Sequence, residues 1–411
     1  MPSPLTTAVL QQLEREREAM IALQQRLMPI EAIGPGNGGT GEWEKGMAVR
    51  AILAQFADRI EEHHAPDPAV PGGQRPNFAA YVCGDRSDRR VWFLAHLDVV
   101  PAGDLQAWTT PPFTATVKEG RIYGRGAEDN HQGLASALFA AAAFKAIDRR
   151  PPCDIGLLIL SDEETGSEFG LSHVLQQADP FHTDDMIIVP DGGPPSGEMI
   201  EVAEKGGLWL QCRITGKEAH ASTPHAGRNA NRAAARLMVA LDHLYDRFAT
   251  TNPLFAPETG STFEPTRVTG NGVSINMVPG SAEFSLDCRL LPGLASQEVL
   301  REVRAIADRI ATDCRVHVAI ETVRLNEAAP ETPTTAPVVA RLSSALRDVY
   351  GVTPRVMGHG GGSLAAPLRK SGYPAVVYSR TDETLHTANE YCVIDYMLGD
   401  AKVLAHVAAN A

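Results

Sequence analysis

Apolar positions along the chain fall into two textures. Arg90-Val91-Trp92-Phe93-Leu94-Ala95, Asp154 to Leu160 and Met186 to Val189 are short, nearly unbroken apolar runs. Runs of that length predict strands buried on both faces. Between and after them lie helical stretches: an alanine-rich one from Gly133 to Ile147 and a shorter one from Phe169 to Gln177. Strands alternating with helices predict an α/β fold built on a mostly parallel sheet. Reactive groups in such folds sit just beyond the carboxyl ends of the strands.

The texture changes near Gly206. Leu208 to Ile214 reads as a strand, Asn231 to Arg247 as a helix and Glu283 to Arg289 as a half-exposed alternating strand. Gln297 to Ala311 is helical again and Val316 to Val323 is a strand. That order fits a small ferredoxin-like α+β unit with its helices on one sheet face. After the proline-rich Ala329 to Pro337 the first texture resumes, including the strand Ala375-Val376-Val377-Tyr378. The expected plan is a catalytic domain in two parts, residues 1–206 and 324–411, interrupted by an inserted domain at 207–323. Met1 to Leu27 sets Glu14 to Glu18 among Leu10, Leu13, Met20 and Leu23, the pattern of an amphipathic surface helix rather than of a secretory signal.

Composition narrows the function. A chain of 411 residues, 44% hydrophobic and 21% charged, is an ordinary globular protein with more than one core. A net charge of −13 without any basic run argues against nucleic acid or an anionic membrane as partner. No apolar stretch reaches the roughly 20 residues needed to span a bilayer, so a cytoplasmic location is expected. The six cysteines are scattered without close pairs and read as reduced, buried small residues.

Five short stations carry candidate chemistry, each after a predicted strand or in a glycine-rich turn. His96-Leu97-Asp98 follows the strand ending at Ala95. Residues two apart in extended chain face the same way, so Asp98 can approach the imidazole and fix its tautomer. A structural histidine at a strand end fits this pair equally well. Gly124-Arg125-Gly126-Ala127-Glu128-Asp129 is a tight turn that lacks the spacing of a phosphate loop. Ser161-Asp162-Glu163-Glu164 places adjacent acids after an apolar strand. In a crevice they need nearby cations or a shared proton, and one of them can serve as a base; a solvated helix-capping loop is the other reading. Asp191 follows the strand ending at Val189, and His386 follows the strand at Val376 to Tyr378. Together His96, Asp129, Glu164, Asp191 and His386 supply two imidazoles and three carboxylates. With one bridging carboxylate that set suffices for two divalent ions, zinc or manganese with cobalt also compatible, about 3.5–4 Å apart.

Taken in order, the five stations resemble the metallopeptidase family of aminoacylases, acetylornithine deacetylase, succinyl-diaminopimelate desuccinylase, bacterial glutamate carboxypeptidases and carnosine-type dipeptidases. The resemblance runs from about Val91 to Glu390 and includes Trp108 to Phe113 and His220-Ala221-Ser222-Thr223-Pro224. It implies that His96 and Asp191 bind one metal, that Glu164 and His386 bind the other, and that Asp129 bridges them. It implies further that Asp98 orients His96 and that Glu163 is the general base. The inserted domain would be a lid through which a homodimer forms, with His220 reaching the partner's active site. Asn276 and Arg289 look like a substrate-anchoring pair, and Gly360, Gly361 and Gly362 like a glycine loop beside the substrate. Three departures bear on the substrate. His131 stands where many relatives carry lysine, Ser363-Leu364 follow the glycine loop without an acid, and Asp191 replaces a glutamate of several deacylases.

Outside the stations, His63-His64 beside Pro66 reads as a surface loop, and His131 as a neighbour of the ligands rather than one of them. There is no Gly-x-Ser-x-Gly elbow, which argues against a serine hydrolase. The leading expectation is hydrolysis of a dipeptide or N-acyl amino acid. An aminohydrolase releasing ammonia from a non-peptide amine, including aromatic ones, is the second. A non-catalytic binding protein is the third, and retention of Glu163 argues against it.

Overall fold

The computed structural model describes residues 3–270 and 274–411. These pack as two compact units. The first comprises Met1–Val202, Thr332–Val356 and Ser363–Ala411, and the second comprises Ala203–Glu331 and Met357–Gly362.

The large sheet has eight strands. In spatial order they are Arg59–Glu62, Phe78–Val82, Asp154–Leu160, Arg90–His96, Met186–Val189, Ala375–Val377, Met199–Glu204 and Arg355–His359. The four central strands, from Asp154–Leu160 to Ala375–Val377, pair parallel. Arg59–Glu62 and Phe78–Val82 on one side and Met199–Glu204 on the other pair antiparallel. The apolar runs read from the sequence are these central strands, and Asp154–Leu160 is buried at every position. Trp92, fully buried, packs with Leu94, Leu158, Ile187 and Val189, and its indole N–H donates to Asp185 Oδ2 at 2.8 Å. The helix His131–Ala146 joins Arg90–His96 to Asp154–Leu160 and is buried nearly all round, which explains why its pattern is alanine-rich rather than amphipathic. It packs against the helices Ile394–Ala409 and Pro4–Arg15.

In the second unit four antiparallel strands lie in the order Thr262–Gly270, Ser281–Leu290, Gly206–Thr215 and His317–Asn326. With the helices Ala230–Leu241 and Ser296–Cys314 between them in sequence, this is the ferredoxin-like order. Strict burial alternation along Ser281–Leu290 shows that one sheet face is covered. Leu208, Leu210, Phe284 and Leu286 pack there against Ala233, Leu237, Val299 and Val303 from the helices.

Two local readings change. The amino-terminal helix is two helices, Pro4–Arg15 and Arg17–Leu27, broken at Glu16, whose N–H turns back to Leu13 O; Met1 and Pro2 lie outside the described residues. Both helices bury apolar residues, Val9 and Leu13 in one and Met20, Leu23 and Leu27 in the other. His63 and His64 do not form a surface loop. They are half-buried, and the His64 ring meets Trp43 and Phe78 edge-on at 5.1 and 5.3 Å.

Candidate metal centre

Parallel strands present their carboxyl ends at one edge, and five chain segments deliver side chains there. His96 is the last residue of Arg90–His96 and pairs in register with Leu160. Glu163 and Glu164 lie just past the end of that neighbouring strand, and Asp191 lies two residues past Met186–Val189. His386 comes from the loop after Ala375–Val377. Asp129 is brought to the same edge by the turn that starts the helix His131–Ala146. Gly126 in that turn has φ +81, and a Cβ on Gly133 would sit 1.9 Å from Pro190 O. Only glycine allows the helix start and the Asp191 strand end to approach so closely.

Among the described residues, two groups of three can hold a cation: His96 with Asp129 and Asp191, and Asp129 with Glu164 and His386. Asp129 belongs to both. One of its oxygens is 3.0 Å from His96 Nε2 and the other is 3.1 Å from His386 Nε2. Asp191 Oδ1 lies 3.5 Å from the same His96 nitrogen, and Glu164 Oε2 lies 3.1 Å from His386 Nε2.

The residues fit a pair of cations on their own chemistry. His96 Nε2 is a buried ring nitrogen that makes no hydrogen bond although two carboxylates flank it. Burial works to neutralise the His96 ring, yet Asp129, Asp191 and Asp98 outweigh it and hold the ring well above the ordinary histidine range. Contacts with Asp129 and Glu164 push His386 up to about 10. Burial opposes ionisation of Asp129, and His386 and His96 more than compensate, holding it low. The cluster thus demands positive charge between its carboxylates, which two metal ions supply more effectively than two protonated rings. Glu163 is pushed well above the carboxylate range, first by burial and then by Asp191, Glu164 and Asp129. Burial and the Asp129 charge raise Glu164 to about 7.

Asp98 stands 1% exposed at the centre of this arrangement. Its carboxylate lies 3.4 Å from His96 Nδ1, but that nitrogen meets the main-chain oxygen of Asp98 more closely, at 3.1 Å. The two carboxylate oxygens accept the main-chain N–H groups of Glu163 at 3.1 Å and Glu164 at 3.0 Å. Asp98 therefore grips the acidic loop as well as standing beside the histidine.

Sequence reasoning passed over several residues that the structure puts to work. Asn130 Nδ2 donates to Asp191 Oδ1 at 2.5 Å and to Pro190 O at 2.9 Å. Buried Lys45 lies 3.0 Å from His131 Nε2, and burial lowers the lysine to about 7 while burial and the lysine charge keep His131 well below its usual range. Arg75, also buried, binds Glu42 and reaches Asp67 and Asp162 at 3.4 Å each. Glu128 and Glu390 are buried carboxylates that accept main-chain N–H groups on opposite sides of the centre. Each flanks a motif already singled out, so the available signal was their position, and nothing in the sequence distinguishes them from solvated acids.

Within the second unit, His220 pairs with Met277 across a two-residue ladder, and Asn276 O accepts the N–H of Ala221 at 2.7 Å. His220 Nδ1 is engaged by Ser222 Oγ at 2.6 Å. Arg289 and the glycine loop also meet, through Arg289 Nη1 and Gly360 O at 3.3 Å. The guanidinium is not an open fork, however: Nε and Nη2 already bind the Asp287 carboxylate at 2.8 and 3.1 Å. Gly361 donates its N–H to His359 Nδ1 at 3.1 Å, and Gly362 follows it in the same unit.

An uncharacterised metallohydrolase of Methanococcus maripaludis is 36% identical over 93% of this chain and 97% of its own length. The succinyl-diaminopimelate desuccinylase of Paracoccus denitrificans is 31% identical over 94% of this chain and 96% of its own. The crystal structure of human carnosine dipeptidase 1 has the same fold, with a TM-score of 0.76 at 18% identity over 100% of this chain and 99% of that one. No helix among the described residues is long and apolar enough to cross a membrane. Residues 92–410, which hold all five stations, match the peptidase family M20/M25/M40, and the chain belongs to that family as a metal-dependent hydrolase.

Proposed function

We propose that this hydrolase cleaves an amide or peptide carbon–nitrogen bond in a small substrate that carries a free carboxylate, such as a dipeptide or an N-acyl amino acid. The observation that carries the reading is the shared Asp129 carboxylate, one oxygen toward each histidine. Two divalent cations, zinc or manganese with cobalt as a further candidate, would be held by His96, Asp129 and Asp191 and by Asp129, Glu164 and His386. When bound, such a pair supplies Lewis acidity that makes water nucleophilic near neutral pH and polarises a carbonyl. Glu163 takes one proton from the attacking water as the water oxygen adds to the carbonyl carbon. It returns that proton to the leaving nitrogen as the carbon–nitrogen bond breaks, giving a carboxylic acid and an amine, which exchange the remaining proton in water. Asp98 fixes the backbone of the acidic loop so that the base and the ligand keep their places.

The names of the desuccinylase and the dipeptidase, both amide-bond enzymes, support this bond type. The inserted unit is proposed as a dimerising lid whose His220 acts at the active site of a second copy. Arg289 is proposed to read the substrate carboxylate, in competition with Asp287 for its donors. Incubating zinc- or manganese-loaded protein with dipeptides, N-acyl amino acids, their carboxyl-amidated forms and amino-aromatic acids tests the reading. Release of a new amine with a new carboxylate is expected, and amidated forms should react poorly. Ammonia released from the amino-aromatic acids, with the amides untouched, would replace the proposal with an aminohydrolase.

A further inference from the structure

Glu128 and Glu390 each stand close in sequence to one ligand and hold the backbone of the other. Glu128, beside Asp129, accepts four hydrogen bonds from the loop that carries His386. The donors are the N–H groups of Asp382 at 2.8 Å, Thr384 at 2.5 Å and Leu385 at 3.0 Å, and the Thr384 hydroxyl at 3.0 Å. Glu390, four residues after His386, accepts from the turn that carries Asp129. Its donors are the N–H groups of Gly126 at 3.1 Å and of Glu128 and Asp129 at 3.0 Å each, and Arg125 Nη1 at 2.5 Å. Both side chains are buried, at 4% and 0% exposure.

We infer that Glu128 and Glu390 form a reciprocal clasp that fixes the separation of Asp129 and His386, and that they are positioning residues for the two cation groups. The inference rests on the two-cation reading above. The clasp is asymmetric in its consequences. His386 is half-exposed with φ +60, a left-handed conformation uncommon for residues other than glycine, though less so for histidine than for most. The chain just before it is gripped by Glu128, and the chain just after it by Asn389, which accepts from Thr109 N and donates to Ala107 O. His96 and Asp191 owe nothing to Glu128: one ends a buried strand and the other is held by Asn130. Loss of the Glu128 carboxylate therefore frees one side of the His386 loop and leaves the first group intact. Loss of the Glu390 carboxylate frees the turn bearing Asp129, which both groups share.

Zinc titration of the full-length apoprotein against a competing chromophoric chelator separates these cases, with thermal unfolding of each apo-variant alongside. Wild type should take up two equivalents. Glu128→Gln should keep one with wild-type affinity and bind the other ~10–100-fold more weakly, the range for supporting partners of metal ligands. It should resemble His386→Ala rather than His96→Ala. Glu390→Gln should weaken both. Thr384→Val, which removes the hydroxyl that donates to Glu128 and accepts the Tyr391 N–H, should weaken only the second cation, about 5-fold, and decides the matter if Glu128→Gln does not fold. Two wild-type equivalents with Glu128→Gln weakening both cations equally or neither, or with Thr384→Val unchanged where Glu128→Gln is insoluble, would overturn the clasp. Fewer than two equivalents in the wild type would instead overturn the two-cation reading.

Discussion

Replacing Asp98 with Asn separates the orienting of His96, which the sequence resemblance implies, from the anchoring of the acidic loop, which the structure shows. Asn keeps the volume and one acceptor oxygen but turns an NH2 group toward one of the two amides that Asp98 receives from Glu163 and Glu164. One charge-assisted hydrogen bond is lost and one buried N–H faces another donor, a combined cost on the order of 2–4 kcal/mol. The His96 ring is spared most of this, because its Nδ1 bonds to the main-chain oxygen of residue 98, which the substitution leaves in place. Removing one negative charge also weakens both cations by a common amount, so the difference between them is the informative quantity. The expected result is a second cation weakened about 10–100-fold more than the first, with turnover falling further because the Glu163 backbone is released. Chelator competition for the two affinities, with kcat on a reactive dipeptide, reads this out. If the first cation is lost while the second binds normally, the carboxylate acts through His96 and the loop-anchoring argument is wrong.

Glu163→Gln should retain both metals while turnover drops by roughly 10²–10⁴-fold, and mixing it with His220→Ala subunits should recover part of the activity if His220 acts across a dimer. No recovery after proven subunit exchange would count against that. Arg75→Met leaves Glu42, Asp67 and Asp162 buried without their cation; a loss of about 3–5 kcal/mol is expected at neutral pH, measurable by urea unfolding. Asp400 is raised by burial to about 6 despite hydrogen bonds from Ser379, Arg380, Gln132 and Tyr350. A carboxyl raised in the folded state costs nothing below its unfolded value near 4 and its full penalty above 6, about 3 kcal/mol. The stability of Asp400→Asn relative to wild type should therefore rise across pH 4–6, and a flat difference would refute it.

Those same residues mark where the sequence is readable. The strands at Val91 to Ala95 and Ile155 to Leu160 announce themselves because both faces are covered, so nothing in them needs to be polar. The proposed ligands are legible because acids or histidines at or soon after the ends of such strands have no structural reason to recur, although His386 stands well beyond Val377. What escapes is whatever depends on chain segments far apart. Lys45 sits in an ordinary helical context, and only its distant neighbour His131 makes it a buried lysine. The break at Glu16 interrupts residues with good helical propensity, and packing rather than local preference sets it. Met357–Gly362 travels with the second unit although its neighbours on both sides belong to the first, which no hydrophobic period can signal. Arg289 and Asp287 lie two apart on one strand face, so their pairing was open to inspection in the sequence, and it changes how free the arginine is to meet a substrate.

The acids around the centre divide by what faces them, and the division explains how a chain of net charge −13 concentrates carboxylates at a single edge of its sheet. Asp98, Glu128 and Glu390 meet main-chain N–H groups, two to three apiece, joined by a hydroxyl or a guanidinium in the latter two. Backbone dipoles satisfy them locally and tie distant loops together, at a smaller desolvation cost than importing a lysine for each. Asp129, Glu164 and Asp191 meet imidazole rings instead, with Asp191 taking one further hydrogen bond from the Asn130 amide. An acid surrounded by amides has its lone pairs spent and serves as scaffold; an acid surrounded by histidines keeps them for a cation. By that criterion Glu128, next to a proposed ligand in sequence, is scaffold, and Asp129 fits the role proposed for it as a ligand. The one-residue step between them also explains why neither role can be exchanged: moving the turn by one position would aim the amide-satisfied carboxylate at the cations and leave the His386 loop without its anchor.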